Sequence, residues 1–411
     1  MSRINAAIFG IVGGATLSTI AGWKIHYPVP VPPIEYSPDV RYLDPPQLSD
    51  DHVGQCIPCV RPGRSGGVRM DREEVGGKVV YHNYGHAGSG WSMAPGSSLH
   101  TVSLFESEPG VCSSTPVTVV GAGVVGLFTA ARLVARGYRD VRIMYESDHD
   151  LASHKAGGLI SLQYITEGQQ DLREAGTSSF AFFNGLRRGE VSAGQLFGLD
   201  SRCGAVSSLC KAVSFFAMTP QAFEGFEEYM AKGWIRPPQK VTLQFGATGA
   251  RHILYGIDGA MFVHVYEFYE RLSAMLRTSP SVTWENTTLD TFATVPTCYI
   301  FNCTGVRARE LAGDAAVSGM GGHLLTLQDQ TPKDYIVYLG LTKEEKKMLG
   351  RSPHQFMYYF PKGEGLLGGT LVDGVTEDYV FESTEFDRIL KDARDFFYGK
   401  DKKWEKKINC D

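Results

Sequence analysis

Three glycines with the spacing GxGxxG stand at Gly121, Gly123 and Gly126, directly after an apolar run that begins at Val117. Gly121 permits a tight turn, and Gly123 lets the backbone approach a pyrophosphate group. Gly126 allows a helix to pack closely on the preceding strand. This spacing predicts a turn that binds the phosphates of a dinucleotide. The alternative is a glycine turn in an ordinary α/β protein.

The elements around this turn fit the same chemistry. A helical pattern opens at Val124, so that its N-terminal amides would face the phosphates. A second apolar strand follows, and Glu146 stands at its end, twenty-five residues after Gly121. A carboxylate in this place can accept a hydrogen bond from a ribose hydroxyl. The sequence therefore predicts a βαβ unit that binds a dinucleotide.

The composition indicates a globular protein. The 411 residues are 43% hydrophobic and 21% charged, which suits one large or two ordinary domains. The 40 basic residues are balanced by 45 acidic ones and form no long basic block, so nucleic acid is not expected as a partner. Eight cysteines are too few for a disulfide scaffold, and we expect reduced thiols.

The N-terminal region contains a stretch of twenty uncharged residues, 4–23. As a helix it would span about 30 Å, the thickness of a bilayer core. A secretory signal or a buried core helix is the alternative, but no convincing small-residue cleavage site follows. We therefore predict a single-pass anchor in a lipid bilayer over residues 1–26. A mitochondrial inner membrane would suit it.

Small side chains recur every four residues within this stretch and would form one stripe along a helix. Such a stripe is useful where a second transmembrane helix packs against it, although it can arise by chance in a glycine-rich segment. The stripe consists of Ala6, Gly10, Gly14, Ser18 and Gly22.

Residues 27–54, rich in proline, are predicted to be an extended linker, either a stiff spacer or an arm along a neighbouring subunit.

Four further segments resemble motifs of the D-amino acid oxidase family. The most specific is VVYHNYGHAGSGWSMAPG at 79–96, which is very close to the family's HNYGHGGxG signature. The segments at 154–164, 299–313 and 360–374 resemble the family's Ala-Gly-Leu turn, its NCTG strand and the strand pair beside its flavin. The resemblance implies FAD as cofactor. It also implies an α/β fold, with a Rossmann-like FAD-binding domain and a mixed-sheet substrate-type domain.

The resemblance also implies cofactor contacts. Amides of the 79–96 turn would point at the flavin ring, with Ser92 as a hydroxyl contact, and Ala87 stands where the family has glycine. His82 and His86 are predicted to be structural, because histidines in such turns often satisfy backbone groups. Beyond the glycine turn, the implied FAD-binding residues are Gly85, Ala87, Gly88, Gly90, Ser92, Gly157, Gly158, Leu159, Leu289, Thr304 and Gly305.

The order of the motifs differs from that of the family, where the HNYGH signature comes last. Here it precedes the glycine turn, so the resemblance implies a circular permutation with 107–116 as the joining loop. The predicted organisation places an FAD-binding domain at 55–164 and 281–318, a substrate-type domain at 165–280 and 319–385, and a C-terminal helix and tail at 386–411.

The catalytic pattern of the family is broken. The family orients the substrate carboxylate with an arginine and two tyrosines; Tyr358 matches one tyrosine, whereas His354 stands at the other. Pro58 stands where an arginine is expected, and a proline cannot form a charge-assisted pair with a carboxylate. Met320 stands at a second family arginine. Ordinary D-amino acid oxidation is therefore not expected.

Residues beside Pro58 leave alternatives open. Arg61 or Arg64 could replace the missing arginine after a shift of register. Cys56 and Cys59 form a CxxC that could be a redox pair or half of a zinc site. Because the chain has no second CxxC, we expect two unpaired thiols and no metal.

These features support two functional hypotheses. The first is a membrane-anchored accessory subunit of a larger, possibly respiratory, complex that keeps FAD but has lost amino acid oxidation. The second is an active flavin oxidoreductase that acts on an amine or an amino acid derivative without a free carboxylate. A third possibility, a fold remnant without flavin, predicts a colourless protein.

Overall fold

The computed structural model describes residues 35–162, 170–190, 206–247, 249–340, 347, 352, 354–376, 379–400, 402 and 404. The predicted anchor and its stripe of small residues lie outside these ranges. No helix within them has the length and apolar character needed to cross a bilayer.

Sixteen strands are formed by the described residues. They are β1 (Glu35–Leu43), β2 (Val53–Arg64), β3 (Arg72–Val75), β4 (Lys78–His82), β5 (Val117–Val120), β6 (Val141–Tyr145), β7 (Cys210–Ala217), β8 (Gln239–Phe245), β9 (Arg251–Val263), β10 (Val282–Asn286), β11 (Tyr299–Asn302), β12 (Val317–Leu327), β13 (Tyr335–Leu339), β14 (Gln355–Phe360), β15 (Leu366–Thr370) and β16 (Val372–Val375).

The same ranges contain eight α-helices. They are α1 (Gly90–Glu106), α2 (Val124–Ala135), α3 (Ala152–Lys155), α4 (Gln170–Arg188), α5 (Glu227–Ala231), α6 (Val265–Thr278), α7 (Ala308–Leu311) and α8 (Ser383–Tyr398). Short 3-10 turns occur at Asp50–His52, Ala87–Ser89, Val206–Leu209, Pro220–Phe226, Phe292–Thr294 and Gly305–Arg307.

The smaller sheet has the strand order β10-β6-β5-β11-β4-β3. All its pairs are parallel except the one between β3 and β4. Every residue of β5 is buried, as expected for a central strand of a parallel sheet covered by helices. The predicted βαβ unit is confirmed, with β5, α2 and β6 as its elements.

Strand β4 precedes β5 in the chain but lies beyond β11 in the sheet. Its parallel register places Val79 beside Tyr299 and His82 beside Asn302. The helix that follows it, α1, packs against α2, and the hydroxyls of Ser98 and Thr129 lie 3.0 Å apart between the two helices. Two distant parts of the sequence therefore build one sheet.

The larger sheet has ten strands in the order β1-β8-β9-β7-β13-β14-β15-β12, with β16 and β2 both pairing with β12. Helix α8 covers β12, β14 and β15 and buries Ile389, Leu390, Ala393 and Phe397 against them. The predicted C-terminal helix is confirmed; it begins at Ser383, three residues earlier than predicted. The mixed sheet agrees with the substrate-type architecture expected from the resemblance.

Three predicted boundaries differ from the structure. Part of the predicted linker 27–54 is β1, an edge strand that pairs in parallel with β8; a proline is tolerated there because an edge strand leaves one row of backbone groups unpaired. Strand β2, assigned to the FAD-binding domain, pairs with β12 of the larger sheet. Helix α6, assigned to the substrate-type domain, packs on α2, and the Tyr269 hydroxyl donates to the Ala122 carbonyl at 2.8 Å.

Candidate functional site

A cavity of about 720 Å³ opens at the carboxyl ends of the parallel strands β4, β5, β6 and β11. This edge is where doubly wound α/β proteins bind ligands, because the loops that follow the strands meet there. The HNYGH turn and the glycine turn line the same cavity, so the two distant motifs are brought together. Of the predicted site residues, those on its wall are Gly85, Gly121, Gly123, Val124, Glu146, Leu289, Thr304 and Gly305.

The glycine turn has the geometry that its sequence predicts. Gly121 has φ +107°, and a β-carbon there would lie 2.5 Å from the carbonyl oxygen of Cys303. Its N–H donates to the Met144 carbonyl at 2.8 Å, which ties the turn to β6. Only glycine satisfies both the backbone conformation and the close approach to the neighbouring strand end.

The N-terminus of α2 points into the cavity wall, but one of its amides already has a protein partner. The N–H of Val124 donates to Ser153 Oγ at 2.9 Å, and the indole N–H of Trp91 donates to the Ser153 carbonyl at 2.9 Å. Ser153 lines the cavity. Sequence reasoning did not identify this residue, because its contact with α2 is set by the docking of α3.

Glu146 stands on the wall directly after β6, as predicted. Its carboxylate lies 3.6 Å from Arg307 Nε, and the side chain is about half exposed. Arg307 also lines the cavity and was not identified from the sequence. The carboxylate therefore keeps free oxygen lone pairs with which it can accept a hydrogen bond from a hydroxyl group.

Two buried side chains on the wall, Asn83 and His86, present polar atoms that have no hydrogen-bond partner among the described residues. They are Oδ1 and Nδ2 of Asn83 and Nε2 of His86. Burial lowers the pKa of His86 to about 4, so its imidazole is neutral at pH 7. A buried polar atom left unpaired costs about 1 to 3 kcal/mol, which a bound ligand can offset.

The two histidines of the HNYGH turn, His82 and His86, differ in their contacts. His82 lies between Glu73 and Asn302 and contacts both through its ring nitrogens. Nε2 of His86 has no hydrogen-bond partner among the described residues, so at this atom the side chain does not bond to a backbone group as expected. Asn83 and His86 both belong to the recognised HNYGH signature, and this was the available signal.

Nine predicted site residues do not line this cavity. Ser92 is engaged with the backbone: its hydroxyl accepts from the Ser161 N–H at 3.1 Å and lies 3.4 Å from the Leu159 carbonyl. Gly158 and Leu159 pair with the end of β9 and dock their segment there. The nine are Ala87, Gly88, Gly90, Ser92, Gly126, Gly157, Gly158, Leu159 and Tyr358.

The position of the missing arginine is on the cavity wall. Pro58, Val60 and Pro62 alternate along β2 and all face the cavity, because alternate residues of a strand point to the same side. Arg61 points to the other side, where a β-carbon at Gly322 would meet its guanidinium at 2.7 Å.

Arg64 and the residues that stand at other family positions also have their contacts away from the cavity. Arg64 forms an ion pair with Asp314 at 2.8 Å and does not line the cavity. His354 Nδ1 lies 3.0 Å from the Leu371 carbonyl. Met320 and Ala87 are buried in one apolar cluster with Leu371. Neither Arg61 nor Arg64 therefore lies on the described cavity wall in place of the family's arginine.

Tyr358 is buried on β14 in an apolar cluster with Cys59, Leu324 and Leu366. A β-carbon at Gly368 would lie 2.3 Å from its hydroxyl oxygen. The predicted substrate-orienting tyrosine therefore packs within the larger sheet. Its matching position in the resemblance does not bring it to the cavity, because side-chain direction depends on the pleat and neighbours of β14.

The CxxC is not a redox pair. Cys56 is disulfide-bonded, whereas Cys59 is buried and has a free thiol. Residues three apart in a strand point to opposite faces, so the two sulfurs of β2 do not meet. The expectation of two unpaired thiols is wrong for Cys56.

No protein-family model matches the chain, and no curated protein matches it. Solved structures similar to it include fructosamine oxidase (Amadoriase II) from Aspergillus fumigatus, with 13% identity over 70% of this chain and 73% of that one and a TM-score of 0.42. Another is L-amino acid deaminase from Proteus vulgaris, with 14% identity over 66% and 65% of the two chains and a TM-score of 0.40. Likenesses at this level carry no functional conclusion for this chain.

Proposed function

We propose that the cavity is an FAD site and that the protein is a flavoprotein of the D-amino acid oxidase type. The observation that carries this proposal is that the HNYGH turn and the Gly121 turn, which are far apart in the sequence, line one cavity at the carboxyl ends of the parallel strands. Ligands of doubly wound α/β proteins bind at this edge of the sheet.

The residues present suit this cofactor. The glycine turn and the start of α2 offer backbone close to a pyrophosphate, and Glu146 offers an acceptor for a ribose hydroxyl. Thr304 and Gly305 stand on the same wall after β11, and the Thr304 side chain adds a hydroxyl group to it. When bound, the flavin would supply hydride acceptance, while the protein would supply binding and orientation.

We further propose that oxidation of free amino acids has been lost. Pro58 faces the cavity, and the wall beside it consists of Val60, Pro62 and Phe381. The cations on the described wall face carboxylates: Lys155 lies 2.9 Å from Asp150, and Arg307 is near Glu146. A substrate carboxylate would find no uncommitted guanidinium on this wall. The accessory-subunit hypothesis follows from this loss, together with the predicted anchor.

The alternative is an oxidoreductase for an amine or an amino acid derivative that lacks a free carboxylate. The apolar wall at Val60, Pro62 and Phe381 favours it, because a small uncharged group can pack there. Co-migration of the detergent-extracted protein with a large membrane complex would favour the accessory role. Bleaching of the flavin by an added amine in the isolated protein would favour the oxidoreductase.

We also propose that the chain is a circular permutation of the D-amino acid oxidase order. The position of β4 beyond β11 supports it. So does the end of α8, which lies against the residues before β2: the Tyr398 hydroxyl donates to the Pro46 carbonyl at 2.8 Å, and Arg394 Nε donates to the Leu48 carbonyl at 2.8 Å. Chain ends that lie close together in space are the condition for such a rearrangement.

The FAD site can be tested with Asn83→Leu. The purified wild type should be yellow, with flavin absorbance near about 450 nm. The variant should bind FAD at least about tenfold more weakly, while the stability of its cofactor-free form is unchanged or higher, because an unpaired amide has been removed. Loss of stability with unchanged FAD affinity would show that Asn83 is only structural.

A matched control is Ser98→Ala. Its hydroxyl is buried between α1 and α2, has protein partners and does not line the cavity. This variant should be less stable by about 1 kcal/mol but should bind FAD as the wild type does. A colourless wild type that takes up no added FAD would contradict the proposed function.

A further inference from the structure

His82 links the protein surface to the cavity through a short chain of hydrogen bonds. Its side chain is fully buried at the end of β4. Nε2 lies 3.0 Å from Glu73 Oε2, and the Glu73 side chain is 43% exposed, so this end of the chain can exchange protons with solvent. Nδ1 lies 3.2 Å from Asn302 Nδ2 on the neighbouring strand β11.

Asn302 connects His82 to the cavity wall through hydrogen bonds with Thr304. Its Oδ1 accepts from Thr304 Oγ1 at 2.7 Å and from the Thr304 N–H at 3.3 Å. Thr304 and the following Gly305 both line the cavity. A backbone N–H can only donate, so the amide oxygen of Asn302 must face Thr304 and its NH₂ group must face His82.

This orientation fixes the protonation state of the imidazole. The NH₂ group of Asn302 cannot accept, so Nδ1 of His82 must be the unprotonated acceptor. The single proton of the neutral ring is then on Nε2, where it is donated to Glu73. A second proton on Nδ1 would place two donors 3.2 Å apart in a buried site.

We propose that His82 is a positioning residue that holds Thr304 on the cavity wall only while its imidazole is neutral, so that acid releases the ligand of this cavity. Relief of the donor–donor contact requires Asn302 to turn its amide. The turned amide presents NH₂ to the Thr304 N–H, so the hydrogen bond from that N–H is lost, and the Thr304 hydroxyl must rotate and accept where it donated before. Where that ligand is taken to be FAD, the inference rests on the proposed function.

The groups that face His82 set where this change occurs. Glu73, Asp71 and Arg69 approach it from β3 and the residues before it, while the rings of Tyr84 and Phe292 lie 5.5 and 6.4 Å from its ring. Burial is the largest influence and lowers the pKa of His82; Arg69 lowers it further, whereas Glu73 and Asp71 raise it. The net direction is downward, so the neutral ring is the form present at pH 7.

The test compares FAD affinity at pH 7.5 and pH 4.5 in wild type and His82→Asn, because the lowered pKa of His82 requires acid well below its ordinary titration range. The Asn side chain can accept from Asn302 in place of Nδ1 but does not titrate. We expect wild-type affinity to fall by about threefold or more at pH 4.5 and the variant to show no such fall. Equal falls in both proteins, or no fall in the wild type, would overturn the proposal.

Two further measurements keep the test decisive. In Asn302→Asp the carboxylate can accept from Thr304 and from a protonated His82 at the same time, so the FAD affinity of this variant should not fall in acid. If its affinity falls as much as that of the wild type, the inference is contradicted. His264→Gln, a half-buried histidine outside the cavity wall, should retain the wild-type fall. Hydrogen exchange at Thr304 and Gly305 in the cofactor-free protein should show that protection is reduced at pH 4.5 in the wild type but not in His82→Asn. That readout stands even if the cavity binds no FAD, which separates failure of this inference from failure of the proposed function.

Discussion

A β-carbon added to Gly126 would lie 1.9 Å from the carbonyl oxygen of Gly121. The first turn of α2 therefore rests directly on the backbone of the glycine turn, and no side chain fits between them. At Gly123 the nearest atom to an added β-carbon is Ser153 Oγ at 3.4 Å, an ordinary contact. The three glycines of one motif thus have different structural demands.

Gly126→Ala should lower the free energy of unfolding by about 2 kcal/mol or more, because backbone must move to admit the methyl group. Gly123→Ala should fold with nearly wild-type stability but bind FAD more weakly, because the methyl group occupies the approach to the cavity. Thermal unfolding and FAD titration check both variants. Equal stability losses in the two would contradict this account.

Pro58→Arg should add a guanidinium group to the side of the cavity that Pro58, Val60 and Pro62 line. Position 58 faces the cavity, so a guanidinium there can form a charge-assisted pair with a carboxylate. We expect a small carboxylate such as benzoate to perturb the flavin spectrum of the variant with at least about tenfold higher affinity than in wild type. Pro58→Leu, which restores the same backbone N–H without a charge, is the control and should show no gain.

The loop 107–116 should tolerate cleavage. It is largely exposed, and it connects α1 to β5 while α1 packs on α2 and α4. A protease site inserted after Gly110 should yield, once cut, two fragments that stay associated and keep their flavin, because the contacts between them are buried. Size-exclusion chromatography with absorbance detection tests this, with the uncut insertion variant as reference. Separation of the fragments without denaturant would contradict the prediction.

Glu227 should make the protein less stable as the pH rises. Its carboxyl is 6% exposed, and burial raises its pKa to about 8, with Glu224 and Glu228 adding to the rise. The unfolded chain loses this proton near its ordinary pKa of 4.5, whereas the folded chain keeps it until about 8. Stability should therefore fall between these values, by about 3 kcal/mol from pH 5.5 to pH 8, and then level off.

Glu227→Gln should remove this dependence, because the amide does not ionise. Glu267→Gln, which removes an exposed carboxylate that pairs with Arg271 on α6, should keep the wild-type dependence. Urea unfolding at pH 5.5, 7 and 8.5 measures all three proteins. An unchanged slope in Glu227→Gln would show that other groups cause the dependence.

Local patterns predicted the βαβ unit well. The apolar run at Val117, the glycine spacing and the position of Glu146 depend on contacts within about thirty residues, and the structure confirms the elements that they define. The loop at 107–116 was likewise recognisable from its turn-forming residues. By contrast, the edge strand β1 was missed, because it pairs with β8 about 200 residues away in the chain.

Site residues were predicted less completely. Ser153 and Arg307 reach the cavity through the docking of short helical turns, and nothing in their local sequence indicates this. Ser92 and Tyr358 matched motif positions, yet their side chains are engaged with neighbouring backbone or with apolar residues. A motif fixes residue type, whereas packing fixes direction.

The sequence by itself determined the glycine turn after β5 and the proline at position 58, because both depend on the chemical nature of single residues and their spacing. Only the tertiary structure decided that the turn at Asn83 and the turn at Gly121 share a cavity, and that Pro58 faces it. The reason is physical: which strands become neighbours, and which face each side chain takes, depends on pairing between segments that are far apart in the chain.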